Sequence, residues 1–385
     1  MTLSVGISAA FLACGQFGTH EGSSSYTPTP TPTGSIPQPS GNPHLERYAK
    51  ITSSSPAVPS SAAVNSLGLP SDYSTYTNWG PLGAVDNVRP ISSTINGGIG
   101  FMWRPSADID SSWIQLDWNG RVNISSIQLY DDPSSSRVLK YEVAFSDSTD
   151  PTKMISPATS STPLPDDGTT AGTVSGPSDA VTTARIKILN HSGNTPSIGE
   201  ILVSGSFVNE DIASINVAPY SYVKNVSSTA LPADGTFSNA GYAGYDVGPF
   251  RTAFVKDDNA NTFWASKNGS NAFIELELDR TYAITKIELT DRPALHSCTK
   301  PFGSIICSTA DSAPHLTYAT VIFNDISKKC LYGTPPQSVT GVLCTDLLSG
   351  SSIQSKDVRV ELSGLTNSDA RSGLSEIKIT GSFAP

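Results

Sequence analysis

The chain has 385 residues and carries 24 Lys and Arg against 34 Asp and Glu, for a formal net charge of −10 and a pI of about 4.9. With no cluster of basic residues in that balance, a nucleic-acid partner is not expected, because neutralising phosphates requires grouped Lys and Arg. Charged residues are only 15 %, against 31 Gly and 28 Pro, a composition of short strands and polar turns rather than helices, at a length that allows two or three domains.

Residues 1–15 are apolar and uncharged. The run is too short to span a bilayer and suits the core of a secretory signal, although the basic segment that usually precedes such a core is missing. Two processing routes stand beside each other: cleavage after Ala13-Cys14-Gly15, or a lipobox-like Leu12-Ala13-Cys14-Gly15 that leaves Cys14 lipidated. A non-exported N-terminus is the third reading. Residues 16–43 contain Tyr26-Thr27-Pro28-Thr29-Pro30-Thr31-Pro32-Thr33. Such a segment cannot bury enough apolar surface to offset its ordering entropy, and it reads as a disordered Pro/Thr-rich stalk or linker, extended at ~3.1 Å per residue.

The next stretch, 44–208, begins with Tyr48-Ala49-Lys50-Ile51-Thr52-Ser53-Ser54. A loop at 71–80 follows, with Tyr73, Tyr76, Asn78 and Trp79, and then Ala84-Val85-Asp86-Asn87 and Trp103-Arg104. In Trp113-Ile114-Gln115-Leu116-Asp117-Trp118 the apolar Ile114, Leu116 and Trp118 alternate with their neighbours, the period of a strand with one face on a core. A turn and a second strand, 124–131, lead to the corner Asp131-Asp132-Pro133, where proline ends the ladder. Trp103, Trp113 and Trp118 are expected in the core, as is Trp264 later in the chain. A short hinge is expected at Val208-Asn209-Glu210-Asp211.

Residues 209–385 repeat the pattern in the same order. Ala272-Phe273-Ile274-Glu275-Leu276-Glu277-Leu278 answers the first strand, and 284–291 with Asp291-Arg292-Pro293 answers the second. Tyr222-Val223-Lys224 answers Tyr48-Ala49-Lys50, Val321-Ile322-Phe323 answers Val143-Ala144-Phe145, and Arg359 answers Arg185. Both copies close alike, with Glu200 and Gly205-Ser206-Phe207 in one, Glu376 and Gly381-Ser382-Phe383 in the other. Collinear matches of this extent indicate a tandem duplication. No apolar tail follows Phe383, so neither a transmembrane span nor a C-terminal lipid anchor is expected.

Besides Cys14 there are Cys298, Cys307, Cys330 and Cys344. An even number in an exported chain suggests two disulfides, and close pairing of Cys298 with Cys307 and Cys330 with Cys344 is one of three connectivities. Zinc, with His296 and His315 nearby, is the alternative. Sequons at Asn123, Asn190, Asn225 and Asn268 offer glycosylation sites if the protein is secreted.

The Trp113-Ile114-Gln115-Leu116 strand, the Leu129-Tyr130-Asp131 corner, Phe145-Ser146-Asp147, Leu164-Pro165-Asp166-Asp167-Gly168 and Gly373-Leu374-Ser375-Glu376-Ile377 together resemble the discoidin, or coagulation factor 5/8 type C, group of galactose-binding-like domains. The resemblance covers nearly all of 44–385. It implies an all-β protein of two tandem eight-stranded jelly-roll β-sandwiches after the stalk, and commonly one structural Ca²⁺ per domain. Asp257-Asp258-Asn259-Ala260-Asn261-Thr262-Phe263-Trp264 fits the family's calcium motif, except that Asp258 replaces its glycine. Asp257, Asn259, Asn261 and Thr262, with Glu376 as the distant carboxylate, then form the candidate ligand set, of the hard oxygen type that calcium requires. Solvated carboxylates in an Asx turn are the alternative. In the first copy only Asp86 and Glu200 remain in place.

Family ligands bind at loops on one rim. The resemblance therefore nominates Tyr73, Tyr76, Asn78 and Trp79, and in the second copy Tyr242, Tyr245, Phe250 and Arg251, to contact a sugar; rings that fold back over the sandwich are the competing reading. The expectation is a non-catalytic, secreted or cell-surface-anchored protein whose partners are glycans or glycosylated surfaces. A structural filament subunit that self-associates is the alternative. No metalloprotease, nucleophile-elbow or phosphate-loop motif is present, and an enzyme is not expected.

Overall fold

Alternation along one long strand decides the layers. In the computed structural model, Ile114, Leu116 and Trp118 point inward and are buried, while Gln115 and Asp117 face outward. Residues 44–54, 81–85, 102–105, 112–131, 136–147, 150, 153–193, 196–227, 252–258, 263–266, 272–292, 296–299, 306–309, 316–331, 342–344, 347–365 and 372–383 are described. Among them the regular structure is strand with short 3₁₀ turns, and no helix is long and apolar enough to cross a membrane.

The first half contains β1 (Ala49–Ser53), β2 (Trp113–Asp131), β3 (Arg137–Ser146), β4 (Met154–Ser160), β5 (Gly172–Ser175), β6 (Val181–Ser192) and β7 (Ile198–Phe207). The strand, turn and strand expected at 113–131 are one continuous strand. Its first part pairs with β1 and β6, and its second part pairs with β5 and β7. Between them the β6 register shifts, from Asp117 to Val122, around Gly120 at φ 95°. β2 thus bends from one layer into the other. All pairings are antiparallel, and β1–β2–β6–β3–β4 faces β5–β2–β7. The core between the layers holds Ile114, Leu116, Trp118, Ile127, Leu129, Val143, Ile186 and Val203, each full burial contributing roughly 1.5–3 kcal/mol.

The second half contains β8 (Ile212–Asn216), β9 (Ser221–Val226), β10 (Trp264–Ala265), β11 (Ala272–Asp291), β12 (His296–Thr299), β13 (Ile306–Thr309), β14 (Leu316–Phe323), β15 (Ile326–Leu331), β16 (Val342–Leu343), β17 (Ile353–Leu365) and β18 (Gly373–Phe383). β11 bends as β2 does: β9 and β17 flank its first part, and β16 and β18 flank its second. The duplication is written in the register. Ile127 pairs with Val203 and Ile287 with Ile379, and matching bulges interrupt both ladders, at Ile124/Ser126 and Ile284/Lys286.

One sequence alignment needs correction. Ala49 lies opposite Trp118 and Ser221 opposite Leu278, so Tyr48 corresponds to Tyr220, two residues before the Tyr222 that sequence similarity had matched to it. A bulge between Glu275 and Leu276 in the β9–β11 ladder absorbs an extra β9 residue and returns the copies to near coincidence at Ser54 and Ser227.

The outer edges of β7 and β18 show one requirement met by different residues. A backbone N–H at a covered sheet edge must find an acceptor. Val203 N donates to Glu46 Oε2 (2.7 Å), and the equivalent Ile379 N donates to Asn216 Oδ1 (3.0 Å). Glu46 is only 1 % exposed, which this role explains.

Cys330 and Cys344 form a disulfide with a Cα separation of 5.3 Å. The backbone register of β12 and β13 sets Cys298 opposite Cys307; their side chains lie outside the description.

Candidate functional site

The same end of each sandwich carries the same framework. In the first half, Trp103 exchanges backbone hydrogen bonds with Ile198, both 2.9 Å. In the second, Trp264 pairs with Leu374 in β10–β18. Both tryptophans are fully buried, as expected, and Trp118 is 4 % exposed. Trp113 departs from the expectation: positions 113, 115 and 117 of β2 face outward, and its ring lies half-buried beneath the Arg185 guanidinium, 4.8 Å away. Arg359 lies over Phe273 in the same way at 3.6 Å.

The corner aspartates cap backbone groups. Asp131 Oδ2 accepts from Val138 N (2.9 Å), and Asp291 Oδ1 from Arg292 N (2.9 Å). Arg292 is buried, in keeping with an internal role. Gly373 makes room for it, since a Cβ there would collide with Trp264 O and approach Arg292 Cδ to 2.8 Å. Glu200 and Glu376 occupy equivalent positions opposite Tyr130 and Thr290, and both are buried.

Two serines clamp the strand ends from which the aromatic loops depart. Ser54 Oγ accepts from Trp113 N (2.8 Å), and Ser227 Oγ accepts from Phe273 N (3.1 Å). The chain re-enters the description in 3₁₀ turns, Pro81–Ala84 and Thr252–Lys256. Between these anchors, Tyr73, Tyr76, Asn78, Trp79, Tyr242, Tyr245, Phe250 and Arg251 lie outside the described residues, as do Asp86, Asn259, Asn261, Thr262, Asn268 and the leader and stalk. Of the other sequons, Asn123, Asn190 and Asn225 are exposed on strands.

At the candidate cation site, Asp258 has φ 62°, a left-handed conformation that Asp tolerates better than most residues. Its carboxylate faces Lys378 at 3.5 Å and Lys50 at 3.9 Å. Lys256 lies next to Asp257, and its ammonium donates to Pro219 O (3.5 Å). Burial pulls Lys256 down to about 8, against the opposing charges of Asp257 and Glu376. The side chain as a whole keeps some solvent contact. The donor set suits a hard cation, and Lys256 is a resident positive charge that would compete with it. Sequence reasoning missed Lys256, which no motif position marks. Among the described residues no group of three or more His, Cys, Asp or Glu gathers around one point.

No protein-family profile and no curated protein matches the chain. Solved structures with similarity include a fucolectin from striped bass (Morone saxatilis) serum, 12 % identical with a TM-score of 0.31, covering 90 % of this chain and 100 % of that one. Allantoicase from Saccharomyces cerevisiae is 11 % identical with a TM-score of 0.35, covering 73 % and 80 %. A fucose-binding module of Streptococcus pneumoniae is 16 % identical with a TM-score of 0.31, covering 44 % and 99 %. Similarities this distant leave the architecture to be read from the strands themselves. Those strands make an all-β protein of two tandem antiparallel sandwiches, the arrangement that the discoidin-like resemblance implied.

Proposed function

We propose that the protein is a non-catalytic, extracellular carbohydrate-binding protein with one recognition rim on each sandwich. The observation that carries this reading is the repeated placement of the aromatic-rich segments. In each copy the sequence between a serine-clamped strand end and a buried 3₁₀ turn is rich in Tyr, with Trp79 in one and Arg251 in the other. Aromatic side chains in loops anchored on a stiff scaffold suit the apolar faces of sugar rings, with amide and guanidinium groups fixing hydroxyls. In this reading Asp257, Asn259, Asn261, Thr262 and Glu376 hold a structural Ca²⁺ that stiffens the second rim, and the disulfides and sequons belong to an exported chain.

The test is a broad glycan array probed with the whole chain, with and without a chelator, and with Trp79→Ala and Tyr245→Ala. Saturable binding that each substitution weakens supports the reading. No binding on the array, together with polymers visible by electron microscopy, would replace it with a structural subunit.

A further inference from the structure

The two sandwiches meet through the same face of each. Registers equate Asp117 with Glu277, Asn119 with Asp279, Gly120 with Arg280, Val122 with Tyr282, and Phe207 with Phe383. Two sets of contacts across the seam come in exchanged pairs under this equivalence. Tyr48 donates to Glu277 Oε1 (2.8 Å); reciprocally, Tyr220 lies within electrostatic reach of Asp117, which adds to the upward push that burial gives its phenol. The turn Leu45–Tyr48 packs on β9, the turn Ala218–Tyr220 packs on β1, and the two turns touch. A face that meets its own copy is an isologous interface, with an approximate two-fold axis through its centre.

One residue breaks the symmetry at that centre. The Arg280 guanidinium lies over both equivalent rings, 5.2 Å from Phe207 and 5.1 Å from Phe383. It donates to Asp279 Oδ2 (3.0 Å), Val208 O (3.2 Å) and Asn119 O (3.4 Å). Asn119 Nδ2 in turn donates to Tyr282 OH (2.9 Å). The equivalent position in the first half is Gly120, at φ 95°, where a Cβ would stand 3.1 Å from Glu210 Oε1 and 3.7 Å from the Arg280 guanidinium. The centre therefore takes one arginine and one glycine. Two second halves paired this way would set two guanidiniums against each other, and two first halves would leave the slot between the phenylalanines empty.

We infer that this seam is an interface specific for unlike halves, in which Arg280 selects the first sandwich as partner of the second and closes the pair within one chain. The expected hinge is consistent with this closure: Val208 N donates to Arg121 O (2.9 Å), and Glu210 accepts from Arg121 N (2.6 Å) and Nε (2.7 Å), so the connection is fastened rather than free.

The experiment uses the whole chain as wild type, Arg280→Gly, Arg280→Lys and Tyr48→Phe. Thermal unfolding, small-angle scattering and amide exchange at Val208 and Arg121 are measured. Wild type should unfold in one transition. Arg280→Gly should lower the first midpoint by about 5 °C or more, split the transition in two and enlarge the radius of gyration. Arg280→Lys retains the charge without the planar stack and should speed exchange at both amides on the order of tenfold, and Tyr48→Phe should speed it less, in the same direction. Unchanged exchange in both Arg280→Lys and Tyr48→Phe would overturn the inference, even if Arg280→Gly fails to fold. So would a wild-type protein that unfolds in two separate steps. None of these readouts depends on glycan binding.

Discussion

Lys256 ties the fold to pH with a calculable size. Its amine titrates near 10.5 in the unfolded chain and at about 8 in the fold, where burial outweighs the attraction of Asp257 and Glu376. Below about pH 8 the folded state carries the full cost of a desolvated ammonium, and above about pH 10.5 it carries none. Between these values the unfolded chain binds the extra proton, so stability rises with pH through that window. At ~1.36 kcal/mol per pK unit the shift is worth roughly 3 kcal/mol near neutrality, and about 2 kcal/mol of it returns between about pH 7 and 9.5. The side chain keeps some contact with water, which makes these upper figures. Urea unfolding followed by tryptophan fluorescence at both pH values, on wild type and Lys256→Met, measures the effect. Wild type should gain stability on going to the higher pH, and the methionine variant should lack that gain. Tyr48 and Tyr282, whose phenols burial pushes upward, lose stability only as pH climbs past about 10, and they do so equally in both proteins. Parallel pH slopes for the two proteins would refute the reasoning.

Calcium at about a hundred times its Kd should stabilise the wild type by about 2.7 kcal/mol if it binds only the folded state. A melting-point rise that Glu376→Gln abolishes and Lys256→Met enlarges would bear this out; no shift with added calcium or chelator removes the ion from the account. Opening the Cys330–Cys344 bridge with Cys330→Ser and Cys344→Ser together releases two positions with a sequence separation of 14 and should cost roughly 3 kcal/mol in denaturant unfolding. Gly373→Ala pushes a methyl into Trp264 O and the Arg292 side chain; a loss of about 2 kcal/mol is expected, and a neutral result would mean the rim gives way more easily than its packing implies.

Local patterns made much of this legible in advance. The period of two at 113–118 and 272–278 placed the strands, and the order of repeated motifs placed the duplication, because alternation and proline corners are local properties of the chain. The spacing of Cys330 and Cys344 made their bridge one of a few candidates, whereas the left-handed backbone at Asp258 is something only the structure records. Identity strings could not reveal that two strands were one, since the bend at Gly120 is decided by which partners flank each part of β2. Nor could they show the two-residue offset of Tyr48, because a bulge changes register without changing composition. Trp113 reads as core by type, yet the pleat turns it outward.

What the sequence by itself determined was the class, the copy number and the positions that alternate into each core. Tertiary structure alone decided that Tyr48 meets Glu277 across 229 residues, that Lys256 comes within electrostatic reach of Glu376, and that Arg280 lies between two equivalent phenylalanines. The physical reason is the same in each case. Burial and pairing energies depend on which surfaces meet, and no local period records a contact between distant faces.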